Sequence, residues 1–158
     1  MDAASLAFLV GFSNRALSLN LEGLTHDDAL VQPAGGGNCV NWLLGHLLVH
    51  RNRMLEALGE PPSWTSPRQG RYDRGSEPIT GEGEEVERLE TLREELDRAH
   101  QRVMEAIQRA GDGKLAEPRP GSQGTVGQFI GFLAVHEGYH AGQVALMRRA
   151  AGKEPAIR

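Results

Sequence analysis

The sequence is poor in cysteine, and it begins without the features of a secretory signal. Its 158 residues include one cysteine, Cys39, so the chain cannot form an internal disulfide and does not require an oxidising compartment. We expect Cys39 to pack as a small apolar residue. The apolar run at residues 6–10 is far too short to span a bilayer, and Asp2 stands where a signal would carry Lys or Arg. These absences predict a cytoplasmic protein with no membrane partner.

Extended basic clusters are also missing. The chain has 17 Lys and Arg against 21 Asp and Glu, which gives a formal net charge of −4 at pH 7. Binding to nucleic acid depends on neutralising phosphates with clustered Lys and Arg. The small basic group of Arg148, Arg149 and Lys153 fits the end of a helix, where cations complement the helix dipole. We therefore expect no nucleic-acid partner.

The length and periodicity of the chain predict one all-α domain covering residues 1–158. A chain of this size buries roughly 70% of the surface that is exposed in its unfolded state, which is enough for a stable core without disulfides. Four segments show helical periodicity and none keeps the alternation of a strand. The predicted helices cover residues 3–24, 39–58, 82–110 and 125–151.

Several helix ends have recognisable capping residues. Thr25 with Asp28 and Thr125 with Gln128 match the capping-box pattern, and Asn38 is a good capping residue for the second long helix. These residues predict a short helical turn after the first long helix and sharp starts for the second and fourth.

The first predicted helix has a broad apolar face. Leu6, Val10 and Leu17 lie on one stripe, and Phe8 and Phe12 lie beside it. A face of this width is typical of a core helix. We therefore expect both phenylalanines, together with the leucine stripe, to pack in the core.

Residues 59–81 separate the second and third predicted helices. They are rich in Gly, Pro, Ser and Arg and show no periodicity, which predicts a long surface connection. Such a connection can run back along a helix of roughly 30 Å, so helices two and three can be parallel neighbours. The shorter links favour antiparallel pairs. The prediction is a four-helix bundle with up-down-down-up topology and a long crossover between helices two and three.

The most informative residues are two histidine pairs at i, i+4 spacing. His136 and His140 fall on the core stripe of the fourth helix, and His46 and His50 form a similar pair on the second. Burying an unpaired imidazole costs about 1–3 kcal/mol, whereas a metal ion binds and satisfies the neutral nitrogen. The spacing places both rings of a pair on one face, one turn apart. Two facing pairs predict a metal site built from three or four imidazoles.

Three further polar residues are not predicted to belong to the metal site. His26, predicted in a loop, and His100, on the flank of the third helix, are expected at the surface. Glu137 follows His136 but is rotated about 100° from it around the helix. It is as consistent with a surface carboxylate as with a base, and we assign it no catalytic role.

Residues 136–140 read H-E-G-Y-H, which also fits the H-E-x-x-H pattern of zincin metalloproteases. The extended metzincin pattern needs a glycine and a third histidine downstream, where this chain has Gln143 and Leu146. Few residues remain for the downstream glutamate ligand of other zincins, and an all-α chain lacks their substrate-binding strand. A zincin metalloprotease is therefore the least favoured function for this sequence.

The run N-W-L-L-G-H-L at residues 41–47, followed by H-E-G-Y-H-A-G-Q at residues 136–143, resembles the DinB-like (damage-inducible) family. The resemblance covers nearly the whole chain. It implies a four-helix bundle whose histidine triad falls on His46, His136 and His140. His50 is not one of the family's usual ligands, and it stays open as a fourth ligand, a partner of the ligands or core packing.

Three neutral imidazoles with one open position are typical of a catalytic metal. A bound water or thiol loses its proton near neutral pH, which suits hydrolysis or thiol transfer on a small molecule. The resemblance implies the same range, since the family includes metal-dependent hydrolases and enzymes that use low-molecular-weight thiols, the bacillithiol and mycothiol transferases and isomerases. Zinc is the favoured ion and nickel the next, while affinity alone does not exclude iron or copper.

The competing hypothesis is a protein without catalysis. A metal-stabilised or metal-free bundle would then serve as a stress-response or interaction module, with a homodimer formed through an exposed helix face. Metal content and activity separate these alternatives.

Overall fold

The structure is a computed structural model that describes residues 1–157, and these residues form six α-helices and no extended strand. The all-α prediction is confirmed. Four helices are long and two have five residues each. In chain order they are α1 (Ala3–Leu21), α2 (His26–Leu30), α3 (Val40–Ala57), α4 (Arg68–Tyr72), α5 (Leu89–Ala116) and α6 (Val126–Ala150).

Both predicted capping boxes are present. Thr25 Oγ1 accepts from the amide of Asp28, and the Asp28 carboxylate accepts from the amide of Thr25. Thr125 and Gln128 make the same pair of bonds at the start of α6. The prediction for α3 is wrong by one residue, because Cys39 and not Asn38 is the N-cap, and it makes no side-chain capping bond.

The start of α5 differs from the prediction, and His26 explains the difference. The helix begins at Leu89, because the amide of Leu89 donates to His26 Nδ1 at 3.0 Å and the acidic residues before it stay outside the helix. His26 is therefore buried, and its predicted surface position is wrong. His100 is also not a plain surface residue, since it is half-buried and its Nδ1 is shielded from solvent.

The four long helices pack on one another. α1 contacts α6 and α5, and α3 contacts α5 and α6. The predicted stripe of Leu6, Val10 and Leu17 is buried, and Cys39 is buried as expected. Among the described residues, none of the helices combines the length and the hydrophobicity that crossing a membrane requires.

Only part of the apolar face of α1 is covered by the neighbouring helices. Phe8 is 70% exposed and Phe12 is 65% exposed, and their rings stack on each other with centroids 6.2 Å apart. The prediction that both rings pack in the core is wrong. α1 lies against α5 and α6 along its leucine stripe, and no described element covers the side that carries the two rings.

The linking segment, residues 59–88, joins α3 to α5 and includes α4. It is not the plain surface connection that its composition predicts, because Trp64, Tyr72 and Ile79 are buried in the core. Asn52 of α3 fixes its first part, donating to the Trp64 carbonyl at 3.1 Å and accepting from the Ser63 amide at 2.7 Å. Buried aromatic residues thus tie an irregular segment to the helix that carries two of the candidate ligands.

Candidate metal centre

α3 and α6 bring four histidines into one cluster. His46 and His50 lie one turn apart on α3 with ring centroids at 4.4 Å, and His136 and His140 lie at the same separation on α6. Across the two helices, the His46 ring is 5.7 Å from that of His136 and 5.2 Å from that of His140. His136 is half-buried and the other three are buried. The structure therefore brings together all the candidate ligands that the sequence suggests.

The Nε2 atom of His136 lies close to the Nε2 atoms of two other histidines in the cluster. His136 Nε2 lies 3.5 Å from His46 Nε2 and 3.0 Å from His140 Nε2. Neutral imidazoles place a lone pair on one ring nitrogen, and facing lone pairs repel unless a proton or cation lies between them. The donor set therefore fits a cation.

Hydrogen bonds to Nδ1 of His46 and of His140 fix which ring nitrogen of each residue carries the proton. His46 Nδ1 is 3.0 Å from the Tyr72 carbonyl, which can only accept, so Nδ1 carries the proton. His140 Nδ1 is 2.6 Å from Gln143 Oε1, while the Gln143 amide nitrogen donates to the Tyr139 hydroxyl. Both rings consequently present the Nε2 lone pair to the centre, the arrangement that orients metal-binding histidines.

Burial keeps these imidazoles neutral. Desolvation lowers the pKa of His46 to about 4 and that of His50 to about 3. It also lowers the pKa of His136, where His140 adds to the effect, and the pKa of His140. Neutral imidazole is the form that binds a metal ion, so at neutral pH no proton has to leave before an ion is bound.

His50 provides a second combination of donors. One nitrogen from each of His46, His50 and His136 lies within 4.8 Å of the others. The Nδ1 atom of His50 is buried, and it has no hydrogen-bond partner among the described residues. The predicted triad uses His140 in place of His50, and both sets share His46 and His136. The triad of His46, His136 and His140 remains a prediction, and the alternative set contains His50 in place of His140.

Tyr72 positions His46, and only glycine at position 45 leaves room for it. A Cβ atom at Gly45 would lie 2.1 Å from Cδ1 of the Tyr72 ring, far inside contact distance. The Tyr72 hydroxyl donates to Asn41 Oδ1 at 3.1 Å and accepts from the Glu87 amide at 2.9 Å. The sequence pattern does not show this role, because Tyr72 lies in an aperiodic segment.

A buried ion pair joins α3 to α6 beside the cluster. Arg51 Nε donates to Glu137 Oε2 at 3.0 Å, and Arg51 Nη2 donates to Oε1 of the same carboxylate. Arg51 also donates to the carbonyl of Leu96 and to Oδ1 of Asn14. The surface reading of Glu137 is wrong. Both of its oxygens accept from Arg51, so the carboxylate is not free to act as the general base that the zincin pattern requires.

A cavity of about 730 Å³ opens onto the cluster. His46, His136 and His140 line it, whereas His50 does not. The walls are largely apolar, and Trp42 lies stacked on His46 with ring centroids 4.6 Å apart. This volume is typical of a site for a small molecule.

The fold and the cluster together define an all-α protein whose helices α3 and α6 carry the candidate metal ligands. The family model of the DinB superfamily matches residues 12–144, and the chain belongs to this superfamily. The matched range includes the whole of α3 and the four histidines, so the resemblance seen in the sequence is confirmed. Comparison with curated proteins gives no match.

Proposed function

We propose that the protein is a metal-dependent enzyme that holds one divalent ion on His46, His136 and His140 and acts on a small molecule. The observation that carries this proposal is the approach of His136 Nε2 to the Nε2 atoms of His46 and His140, at 3.5 and 3.0 Å, with all three rings lining a cavity of about 730 Å³. A triad with an open position suits catalysis, whereas a closed set of four ligands suits a structural role. His50 lies outside the cavity lining and is the less suitable third ligand.

The donor set favours zinc, with nickel as the second choice. Neutral imidazoles suit both ions, and the cluster contains no thiolate or carboxylate that would favour a softer or a harder ion. A bound divalent ion would supply Lewis acidity, which lowers the pKa of a water or thiol at the open position. Hydrolysis and transfer of a low-molecular-weight thiol are the two reactions that this chemistry supports.

The protein's own residues supply orientation and water exclusion. The Tyr72 carbonyl and the Gln143 amide oxygen hold the rings of His46 and His140 with Nε2 towards the centre. The indole of Trp42 covers one face of His46, and its Nε1 donates to Ser76 Oγ at 2.9 Å. A substrate bound in the cavity would thus lie next to histidine nitrogens of fixed orientation and against an apolar wall.

A second candidate is a non-catalytic module that binds metal and forms a homodimer. Its support is an uncovered apolar surface on α1 and α6, where Phe8, Phe12, Phe132 and Val135 are all more than half exposed. The stacked rings of Phe8 and Phe12 form one apolar patch, and exposed apolar patches are typical of association sites. Dimerisation is compatible with either function.

The same proposal includes the topology, domain organisation, location and partners of the protein. The four long helices form a bundle with up-down-down-up topology and one long crossover, and residues 1–158 form a single domain. The chain works in the cytoplasm, which suits a lone buried cysteine. We propose no nucleic-acid or membrane partner, since the chain has a net charge of −4.

Metal content tests the site. Protein purified without added chelator should carry one zinc or nickel ion per chain by elemental analysis. His136→Ala and His140→Ala should lose it, and His50→Ala should retain it. Loss with His50→Ala and retention with His140→Ala would replace the proposed triad with the His46, His50 and His136 set. No ion in the wild-type protein would remove the site altogether.

Activity then separates the enzyme from the module. Thiol consumption is measured with bacillithiol, mycothiol or glutathione plus an electrophile, beside a panel of small esters and amides. Turnover that disappears in His140→Ala supports the enzyme. Metal-loaded protein that is inactive on both panels, and dimeric by light scattering, supports the module.

A further inference from the structure

The lining of the cavity beside the histidine cluster includes one permanently charged side chain among the described residues, that of Arg74. No aspartate or glutamate of the described part of the chain lines the cavity, although acidic residues outnumber basic ones in the sequence. An arginine and a divalent ion in one cleft with apolar walls would focus a positive potential, which attracts anions.

Arg74 differs from its neighbours because its guanidinium has no partner among the described residues. Arg53 pairs with Asp73, with Nη2 2.7 and 2.8 Å from the two carboxylate oxygens. Arg68 pairs with Glu87, and Arg71 donates to the carbonyl of Glu77. Around Arg74, the linking segment therefore uses its other arginines for internal bonds and leaves one cation exposed at the cavity.

The backbone on both sides of Arg74 is fixed. The Tyr72 carbonyl is bound to His46, and the Asp73 carboxylate accepts from the Arg74 amide at 2.7 Å. Ser76 closes the turn, since its amide donates to the Asp73 carbonyl at 3.1 Å and its hydroxyl accepts from Trp42. Gly75 takes the positive φ of 88° that this turn needs. The fold thus holds the Arg74 backbone in place, while the guanidinium lines the cavity without a partner among the described residues.

The apolar walls add a second requirement. Leu43, Leu146 and Met147 line the cavity together with Trp42. A ligand that satisfies the whole cavity has an anionic oxygen group for Arg74, an apolar body and a donor atom that reaches the histidine cluster.

We propose that Arg74 is a specificity-determining residue, which selects small organic anions by binding their carboxylate or phosphate group at the cavity mouth. This inference rests on the proposed function, because it places the reacting end of the same molecule at the histidine triad. Guanidinium groups bind both anions through paired N–H donors, so the shared chemistry is that of a planar or tetrahedral oxyanion.

Matched ligands that differ in charge alone provide the test. The probes are ω-mercaptoalkanoates of increasing chain length, the corresponding ω-mercaptoalkanamides, and ω-mercaptoalkyl phosphates. Their affinities for zinc-loaded protein are measured by titration calorimetry. The variants are Arg74→Gln and Arg74→Lys, with Arg15→Gln as the control. Arg15 is exposed on α1 and outside the cavity lining, so it removes the same charge elsewhere.

The wild-type protein should bind the best acid or phosphate about tenfold more tightly than the amide, as expected for a hydrogen-bonded charge pair. Arg74→Gln should abolish most of this preference, Arg74→Lys should keep part of it, and Arg15→Gln should keep all of it. The tighter of the two anions identifies the group that fits. A preference that survives in Arg74→Gln, or binding of neither probe to the wild type, overturns the proposal.

Failure of the metal site is a separate result. Elemental analysis of each sample shows whether the ion is present, and the acid and amide series are repeated on metal-free protein. A preference that depends on Arg74 in the metal-free chain supports the anion site even when no ion binds. Equal affinity for acid and amide in zinc-loaded wild-type protein rejects the anion site and leaves the metal site standing.

Discussion

Arg51 of α3 and Glu137 of α6 form an ion pair that is 1% and 2% exposed, and each follows a histidine of the cluster in the chain. The pair therefore connects the two helices that carry the candidate ligands, at the height of the cluster. The two charges neutralise each other, and the Leu96 carbonyl and Asn14 Oδ1 accept two further N–H bonds of the guanidinium.

Glu137→Gln should strongly destabilise the fold. The substitution leaves the Arg51 charge buried without its counter-ion, and breaking a buried pair in this way costs about 3–5 kcal/mol. The measurement is the free energy of unfolding in urea. The control is Glu60→Gln, which removes a partner of the exposed Arg109 and should change little. Equal stability of the two variants would contradict a structural role for the buried pair. Arg51→Met combined with Glu137→Leu should recover much of the loss.

Gly45→Ala should disturb the centre through Tyr72. The added methyl group would overlap the Tyr72 ring, so either α3 or the linking segment has to move. Overpacking of this kind costs about 1–3 kcal/mol, and moving Tyr72 also removes the acceptor that orients His46. Thermal denaturation and zinc affinity are the two measurements.

Gly142→Ala is the matched control for this substitution. Gly142 lies on α6 with open space where the methyl group would be placed. Alanine there should be neutral or should stabilise the helix by about 0.5–1 kcal/mol. If both variants bind zinc as the wild type does, Tyr72 does not position His46.

Gln143→Leu should weaken metal binding while the helix stays intact. Without the Gln143 oxygen, the His140 ring loses the acceptor that fixes its tautomer. Loss of such a partner lowers metal affinity about 10- to 100-fold. Competition with a zinc-binding dye measures the affinity, and circular dichroism checks the fold. Gln143→Glu, which keeps an acceptor, should retain affinity, and Gln101→Leu on the exposed side of α5 is the control. An unchanged affinity in Gln143→Leu would mean that His140 needs no such partner.

The metal-free protein should lose stability as the pH falls below 6.5. His46 and His50 have folded-state pKa values of about 4 and 3, below the ordinary value of 6.5 that they regain on unfolding. The unfolded chain therefore takes up protons first. The contribution of the neutral imidazoles is complete above pH 6.5 and declines as the pH falls, down to about 4 for His46 and about 3 for His50.

Urea unfolding at a series of pH values checks this dependence. His50→Leu removes the residue with the lowest of these pKa values, so its stability should fall less steeply over the same interval. A wild-type protein whose stability is flat between pH 6.5 and 4 would show that these rings do not stay neutral in the folded state.

Much of the site could be predicted because its main residues lie on regular helices. The i, i+4 spacing of His136 and His140 fixes both rings on one face of α6, and the same rule applies to α3. The partners of these rings could not be predicted in this way. Tyr72 acts from an irregular segment, and its contact with His46 depends on how residues 59–88 fold back against α3.

The ion pair was missed for a different reason. Arg51 and Glu137 are 86 residues apart, and a charged residue next to a core position usually faces solvent. One feature of the sequence indicates that Arg51 is buried. The middle turns of α3 carry apolar residues or histidines on nearly every side, which predicts that the whole circumference of the helix is covered there. The two phenylalanines of α1 show the opposite error, since an apolar side chain reveals its hydrophobicity but not whether a neighbour covers it.

The linking segment both supports the histidine cluster and lines the cavity beside it. The Tyr72 carbonyl of this segment is bonded to His46 and the Ser76 hydroxyl to Trp42, whereas the Arg74 guanidinium has no partner among the described residues. A substitution at Ser76 would therefore reach the donor His46 through Trp42, whereas a substitution of the Arg74 side chain would change the cavity lining and leave the nitrogen donors in place. One short segment thus contains positions where a change would disturb the cluster and a position where a change would alter only the cavity, so related sequences can vary at the cavity while the histidine cluster stays the same.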